Sequence, residues 1–159
     1  MAELRIRFIT SPGLVSKIIN WVTSSEFSHA EIVTESGSYI GAHSDGGVED
    51  RPADYVEPVF ERRYAIPCTE EQLAKIMAYA RSALGTPYNF ADILGILFRH
   101  NWSTPKRVIC SMFVYQCALA GGIQMLNVLP AYAQKVTPDA LHLSPLLIGT
   151  CYFQSEAPR

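Results

Sequence analysis

Residues Ser28 to Ser44 constrain this chain more than any other stretch. Two short runs, Ser28 to Thr34 and Ser38 to Ser44, flank Ser36-Gly37 and read as a hairpin. Only one register makes a uniformly apolar face. Ile32 opposite Ile40 puts Ala30 opposite Ala42, whereas a one-residue slip sets Ile32 against Tyr39 or Gly41. A single burial face is what pins the register of a strand pair. On the other face, the same register carries His29 opposite His43 and Glu31 opposite Gly41. Two imidazoles then flank each other beside a position with no side chain, which leaves room for a ligand.

The rest of the chain supplies a mixed set of elements. Leu4, Ile6 and Phe8 alternate with Arg5 and Arg7, the pattern of a half-buried strand. Ser11-Pro12 reads as an N-cap followed by proline, and Leu14, Val15, Ile18, Ile19 and Val22 recur at helical spacing, which predicts a helix over 12–23. Asp45-Gly46-Gly47-Val48 is a turn signal, and Tyr55 to Ile66 reads as one or two further strands. Thr69-Glu70-Glu71-Gln72 resembles a capping box and opens a helix through Leu84, which Gly85-Thr86-Pro87 ends. Helical stretches follow at Phe90 to Phe98 and from Cys110 to Gly121-Gly122; Pro130 opens a loop, Thr137-Pro138-Asp139 caps a turn, and Leu146 to Phe153 reads as a last strand. Strands and helices mix without a repeating βαβ order, so the expectation is one α+β domain over residues 1–159.

Composition excludes several classes. The 159 residues carry a net charge of −2 with no run of like charges, which argues against nucleic acid or an acidic membrane surface as partner. The basic residues Arg5, Arg7, Arg62, Arg63, Lys106 and Arg107 are scattered and read as a solvated surface. No stretch approaches the roughly 20 apolar residues that span a bilayer. Residues Met1 to Ile9 lack the apolar core of a signal peptide, so a cytoplasmic location is expected unless a phage or other secretion route exports the protein. Cys68, Cys110, Cys117 and Cys151 form no CxxC pair and no Cys/His cluster, which argues against structural zinc and against a disulfide framework.

Among these cysteines Cys110 stands apart, at the joint of the strand-like Arg107-Val108-Ile109 and the helix-like Ser111-Met112-Phe113-Val114. The first turn of a helix presents unpaired N–H groups and the positive end of the helix dipole, and both stabilise a thiolate. A cysteine in an apolar segment is more often a small core residue, the reading given to Cys68, Cys117 and Cys151. A nucleophile needs a base, and His29 at the start of a short strand is the best candidate. His100 and His142 read as surface or helix-end residues, and Trp21 and Trp102 as packing residues.

Taken in order, Ser28-His29-Ala30-Glu31-Ile32, Gly41-Ala42-His43 with Gly47-Val48, Gly85-Thr86-Pro87-Tyr88 and Cys110-Ser111-Met112-Phe113-Val114 resemble the circularly permuted NlpC/P60 group of papain-like cysteine hydrolases, in particular its YiiX/YaeF-like branch. The resemblance covers roughly residues 5–120. It implies a papain-like core in which the cysteine helix packs on an antiparallel sheet carrying the histidine. Cys110 would be the nucleophile and His29 the general base and later acid. The orienting third member would be His43, on the next strand, with Glu31 as the alternative. Tyr88, Gly41 and Ser111 would line the substrate site. The implied reaction is cleavage of an amide bond in a peptide or small amide, often of bacterial cell wall, through an acyl-enzyme and without metal or cofactor. Two alternatives accompany it. Lecithin:retinol-acyltransferase-like proteins share the histidine-first order and a second histidine on the next strand, which implies a thioester-forming acyltransferase or lipid hydrolase. The other alternative is a non-catalytic binding module on the same fold.

Overall fold

The alternating N-terminal residues become the middle of a sheet. The computed structural model describes residues 2–13, 17, 26–88, 109–128 and 136–153, and in it β1 (Ala2–Thr10) is paired on both sides. Strands β2 (His29–Val33), β3 (Tyr39–His43) and β4 (Gly47–Arg51) continue the sheet one way, and β5 (Phe60–Cys68) and β6 (Ile148–Phe153) the other. The order is β4-β3-β2-β1-β5-β6, antiparallel throughout. Among the described residues the helices are α1 (Glu70–Ser82), α2 (Cys110–Ala120) and α3 (Pro138–His142). The architecture is α+β, as the mixed order of elements predicts.

The hairpin register is the one that burial demands. Ile32 pairs with Ile40 and Val33 with Tyr39. Leu4, Ile6, Phe8, Ala30, Ile32, Ile40 and Ala42 share one core with Ile76, Met77 and Ala80 of α1 and Phe113, Val114, Cys117 and Ala118 of α2. Helix α2 is apolar nearly all round and buries eight of its eleven residues, the signature of a helix enclosed by protein. The capping box of α1 forms as expected. Thr69 Oγ1 accepts from the Gln72 N–H at 3.1 Å, and Gln72 Oε1 accepts from the Thr69 N–H at 3.0 Å.

Four expectations are corrected. Gly47–Arg51 is a strand where the sequence signals only a turn, because an edge strand tolerates the half-buried charges of Glu49 and Arg51 and the exposed charge of Asp50. Extended pairing resumes only at Phe60, since Pro52 and Pro58 cannot donate to a ladder. Arg7 is not solvated; it is 2% exposed on a strand flanked on both sides. The last strand starts at Ile148, two residues later than expected. Most of the expected helix over 12–23, the stretch Phe90 to Phe98, and Trp21, His100, Trp102 and Pro130 lie outside the described residues.

Two of the short glycine motifs meet in space. The Val48 N–H donates to Thr86 O at 2.9 Å, and the Gly85 N–H donates to Val48 O at 2.8 Å. This pairing ties the loop before Tyr88 to the edge of the sheet. Gly47 makes it possible: its φ is +81°, and a Cβ there would lie 2.3 Å from Thr86 O. Gly47→Ala is therefore expected to destabilise by about 1–3 kcal/mol from backbone strain alone, read as a lowered urea midpoint. An unchanged midpoint would show that the loop can leave the sheet edge freely.

Candidate active site

Helix α2 begins without a side-chain cap. Its N-cap residue is Ile109, which offers no acceptor, and no acidic residue occupies the first turn. The leading N–H groups and the positive end of the dipole are thus left for the first residue, Cys110. The thiol is buried, at 3% exposure, 3.9 Å from the carbonyl oxygen of Ser28 at the mouth of β2. Burial alone would push the thiol up. The facing charge of His29, its hydrogen bond, and the backbone N–H groups of Ala30 and Ser111 outweigh burial and hold it below its ordinary value. Cys68 and Cys117 show the contrast: burial pushes both up and no cation among the described residues answers it. Both are free and buried, as core residues should be.

His29 stands between sulfur and carboxylate. Its Nε2 lies 3.1 Å from Glu31 Oε1, which leaves Nδ1 for Cys110. Burial disfavours the imidazolium, but the Cys110 thiolate and the Glu31 carboxylate raise His29 to about 10. Glu31 is fully buried; burial would raise it, and the His29 charge, hydrogen bonds from His29 and Tyr55, and the Arg7 charge hold it at about 2. The three groups form a line of thiol, imidazole and carboxylate.

His43 occupies a different place. Its ring lies 4.8 Å from that of His29 between centroids, and its Nε2 is 3.7 Å from Glu31 Oε1, beyond hydrogen-bonding distance. Burial and the neighbouring His29 charge lower it to about 3, so it is neutral at neutral pH. The His29 ring packs beside the imidazole of His43, and it is the carboxylate of Glu31 that hydrogen-bonds it. Gly41 does what the register predicts, since a Cβ there would lie 3.1 Å from Glu31 Cγ and 3.2 Å from His29 Nε2. Tyr88 is buried, and burial together with the Cys110 charge and hydrogen bond holds its phenol well above the ordinary value. Ser111 commits its hydroxyl to Val136 O at 2.5 Å, so only its backbone N–H addresses the sulfur. His142 ends α3 as expected, but it packs among Phe8, Phe27 and Tyr64.

Three further residues hold this arrangement and were not singled out in the sequence. The Arg7 guanidinium donates to Glu31 Oε2 at 3.3 Å and to Glu61 Oε2 at 2.8 Å, and its Cζ lies 4.2 Å above the Tyr39 ring. Tyr55, in the connection between β4 and β5, donates its hydroxyl to Glu31 Oε1. Glu61 also accepts from Arg63. One signal was available: once β1 and β2 pair, Arg7 falls opposite Glu31. Nothing local marks Tyr55.

Together these features define an α+β protein whose antiparallel sheet brings a histidine and a glutamate of one strand to a cysteine at a helix start. Among solved structures the chain is similar to yiiX from Escherichia coli O157:H7, described as a metalloprotein, DUF1105, with a TM-score of 0.70 and 21% identity over 94% of this chain and 96% of that one. The shared property is the fold, and yiiX is of the branch that the sequence resembles. No family model matches the chain, and no curated protein matches it in sequence. No helix among the described residues is long and apolar enough to cross a membrane.

Proposed function

We propose that this protein is a cysteine hydrolase of the circularly permuted NlpC/P60, papain-like type, cleaving an amide bond in a peptide or small amide. The observation that carries the reading is the line Cys110–His29–Glu31 at an uncapped helix start. The histidine-first order along the chain and the fold shared with yiiX support it.

The chemistry follows from the line. The Cys110 thiolate attacks the amide carbonyl carbon, and the negative charge that develops on oxygen is met by N–H groups at the start of α2. As the C–N bond breaks, the His29 imidazolium gives its proton to the departing amine, leaving a thioester on Cys110. Neutral His29 then takes a proton from water as the water attacks that thioester, and the acid product and thiolate are released. Glu31 keeps the imidazole oriented throughout and favours its charged form.

Amine release from a library of wall-type peptides is the test. Activity is expected in the wild type, to fall by about a thousandfold or more in Cys110→Ala, and to fall by roughly a hundredfold in Glu31→Gln. Fatty acid release from phospholipid, without amine release, would transfer the reading to the acyltransferase or lipid hydrolase class, which the proximity of His29 and His43 favours. An inert Cys110 would leave a binding module.

A metal ion is a second reading of the same polar face, because yiiX is described as a metalloprotein. In this chain the observation favouring it is His43 Nε2, buried with no hydrogen-bond partner among the described residues.

A further inference from the structure

We infer that His29, Glu31 and His43 form a binding site for a zinc-class divalent cation, and that occupation of this site and thiolate hydrolysis by Cys110 exclude each other. The inference deepens the hydrolase reading by giving its site a means of regulation.

The donors are the first argument. Each of the three residues offers one ligand atom, and these atoms all lie within 4.8 Å of one another. Glu31 Oε1 is 3.1 Å from His29 Nε2 and 3.7 Å from His43 Nε2. Metal–ligand bonds of about 2.0–2.1 Å in tetrahedral array place neighbouring ligand atoms roughly 3.3 Å apart, a spacing those two distances bracket. Two imidazoles and one carboxylate suit zinc and its neighbours, whereas magnesium and calcium call for oxygen donors.

The second argument is the orphaned nitrogen. His43 is 5% exposed, yet its Nε2 finds no partner among the described residues. A buried polar atom without a partner is costly, and a site that keeps one has a use for it. Its orientation toward Glu31 Oε1 aims it into the cluster. Gly41 keeps the space beside His29 and Glu31 free of a side chain. Outside the cluster, Tyr55 and Arg7 hydrogen-bond the same carboxylate, the kind of support that orients metal ligands.

Exclusion follows from one lone pair. The Nε2 of His29 that would bind a cation is the atom whose hydrogen bond to Glu31 holds the imidazolium in line. A nitrogen that binds a metal cannot carry a proton. The ring would then keep a single proton on Nδ1 and could accept no second one, so it could neither take the Cys110 proton nor act as base toward water, and Glu31 would be drawn to the cation.

The test titrates zinc ion alone into EDTA-stripped protein against a chromophoric chelator. Binding of one equivalent with micromolar or tighter affinity is expected, weakened at least tenfold in His43→Ala and in the near-isosteric His43→Gln. Iodoacetamide labelling of Cys110 should slow at least tenfold with one equivalent of zinc and recover with EDTA. Failure to bind zinc, or equal binding by a folded His43 variant, would overturn the site. Unchanged labelling of zinc-loaded protein would overturn the exclusion. Selective labelling of stripped protein that binds no zinc would leave the hydrolase standing without the metal site. Zinc binding with unreactive Cys110 in the stripped protein would remove the hydrolase, and with it the exclusion.

Discussion

Labelling of Cys110 by limiting iodoacetamide is expected to stay fast at pH 6 in the wild type and to drop by roughly a hundredfold in His29→Ala. The sign follows from what the imidazolium does. In the wild type its charge outweighs burial and keeps the sulfur ionised below the ordinary thiol range. Without it the largest pull toward thiolate is gone and burial is left opposing the Tyr88 and backbone N–H hydrogen bonds, so the sulfur moves back toward a free thiol, whose reference value is near 8.5. At pH 6 a thiol of that pKa is on the order of 0.3% thiolate. Peptide mapping should assign the fast label to Cys110, because Cys68 and Cys117 are held as thiols by burial. In a hydrolysis assay the alkaline limb should fall near pH 10, where His29 loses the proton it must give to the amine. Slow labelling at every cysteine, unchanged by the mutation, would remove the thiolate–imidazolium pair and with it the hydrolase.

The stability of the pair runs the same way. His29 is raised in the folded state, so its contribution is complete below the unfolded value near 6.5 and is lost as pH rises through about 10. Glu31 is lowered, so its contribution is complete above the ordinary carboxylate range and is lost as pH falls toward 2.

Arg7→Met should be the most destabilising single change in the site, by about 3–5 kcal/mol. The substitution keeps the length of the side chain and removes the charge. Glu31, fully buried, and Glu61, at 8% exposure, then lose the cation between them. Denaturant unfolding gives the measurement. Adding Glu61→Gln to Arg7→Met should recover part of the loss, since one of the two carboxylates that Arg7 bridged is then neutral. Glu31 cannot be relieved in the same way without loosening His29, whose Nε2 it holds. A loss below about 1 kcal/mol, the range of exposed pairs, would mean that Arg7 is solvated and not part of the support for Glu31.

The amino-acid sequence determined the hairpin and much of the site by local means. Alternation and a single apolar face select the pairing of Ile32 with Ile40, and His29, Glu31, Gly41 and His43 follow from it. The start of α1 is legible because its caps are local in sequence, and the exposed backbone N–H groups at Cys110 follow from the absence of a cap at Ile109. Other features had to wait for the tertiary structure, because they depend on distances that no short window contains. Which group hydrogen-bonds His29 is decided by side-chain reach: Glu31 lies on the same strand two residues on and its carboxylate arrives at 3.1 Å, while His43 meets His29 ring against ring, 4.8 Å between centroids. Arg7 looks like a surface cation until β1 is flanked by β2 and β5 and water is excluded. Tyr55 reaches the carboxylate from a connection with no periodicity of its own. Burial gives these charges their strength, and burial is a property of the assembled sheet and helices rather than of any segment.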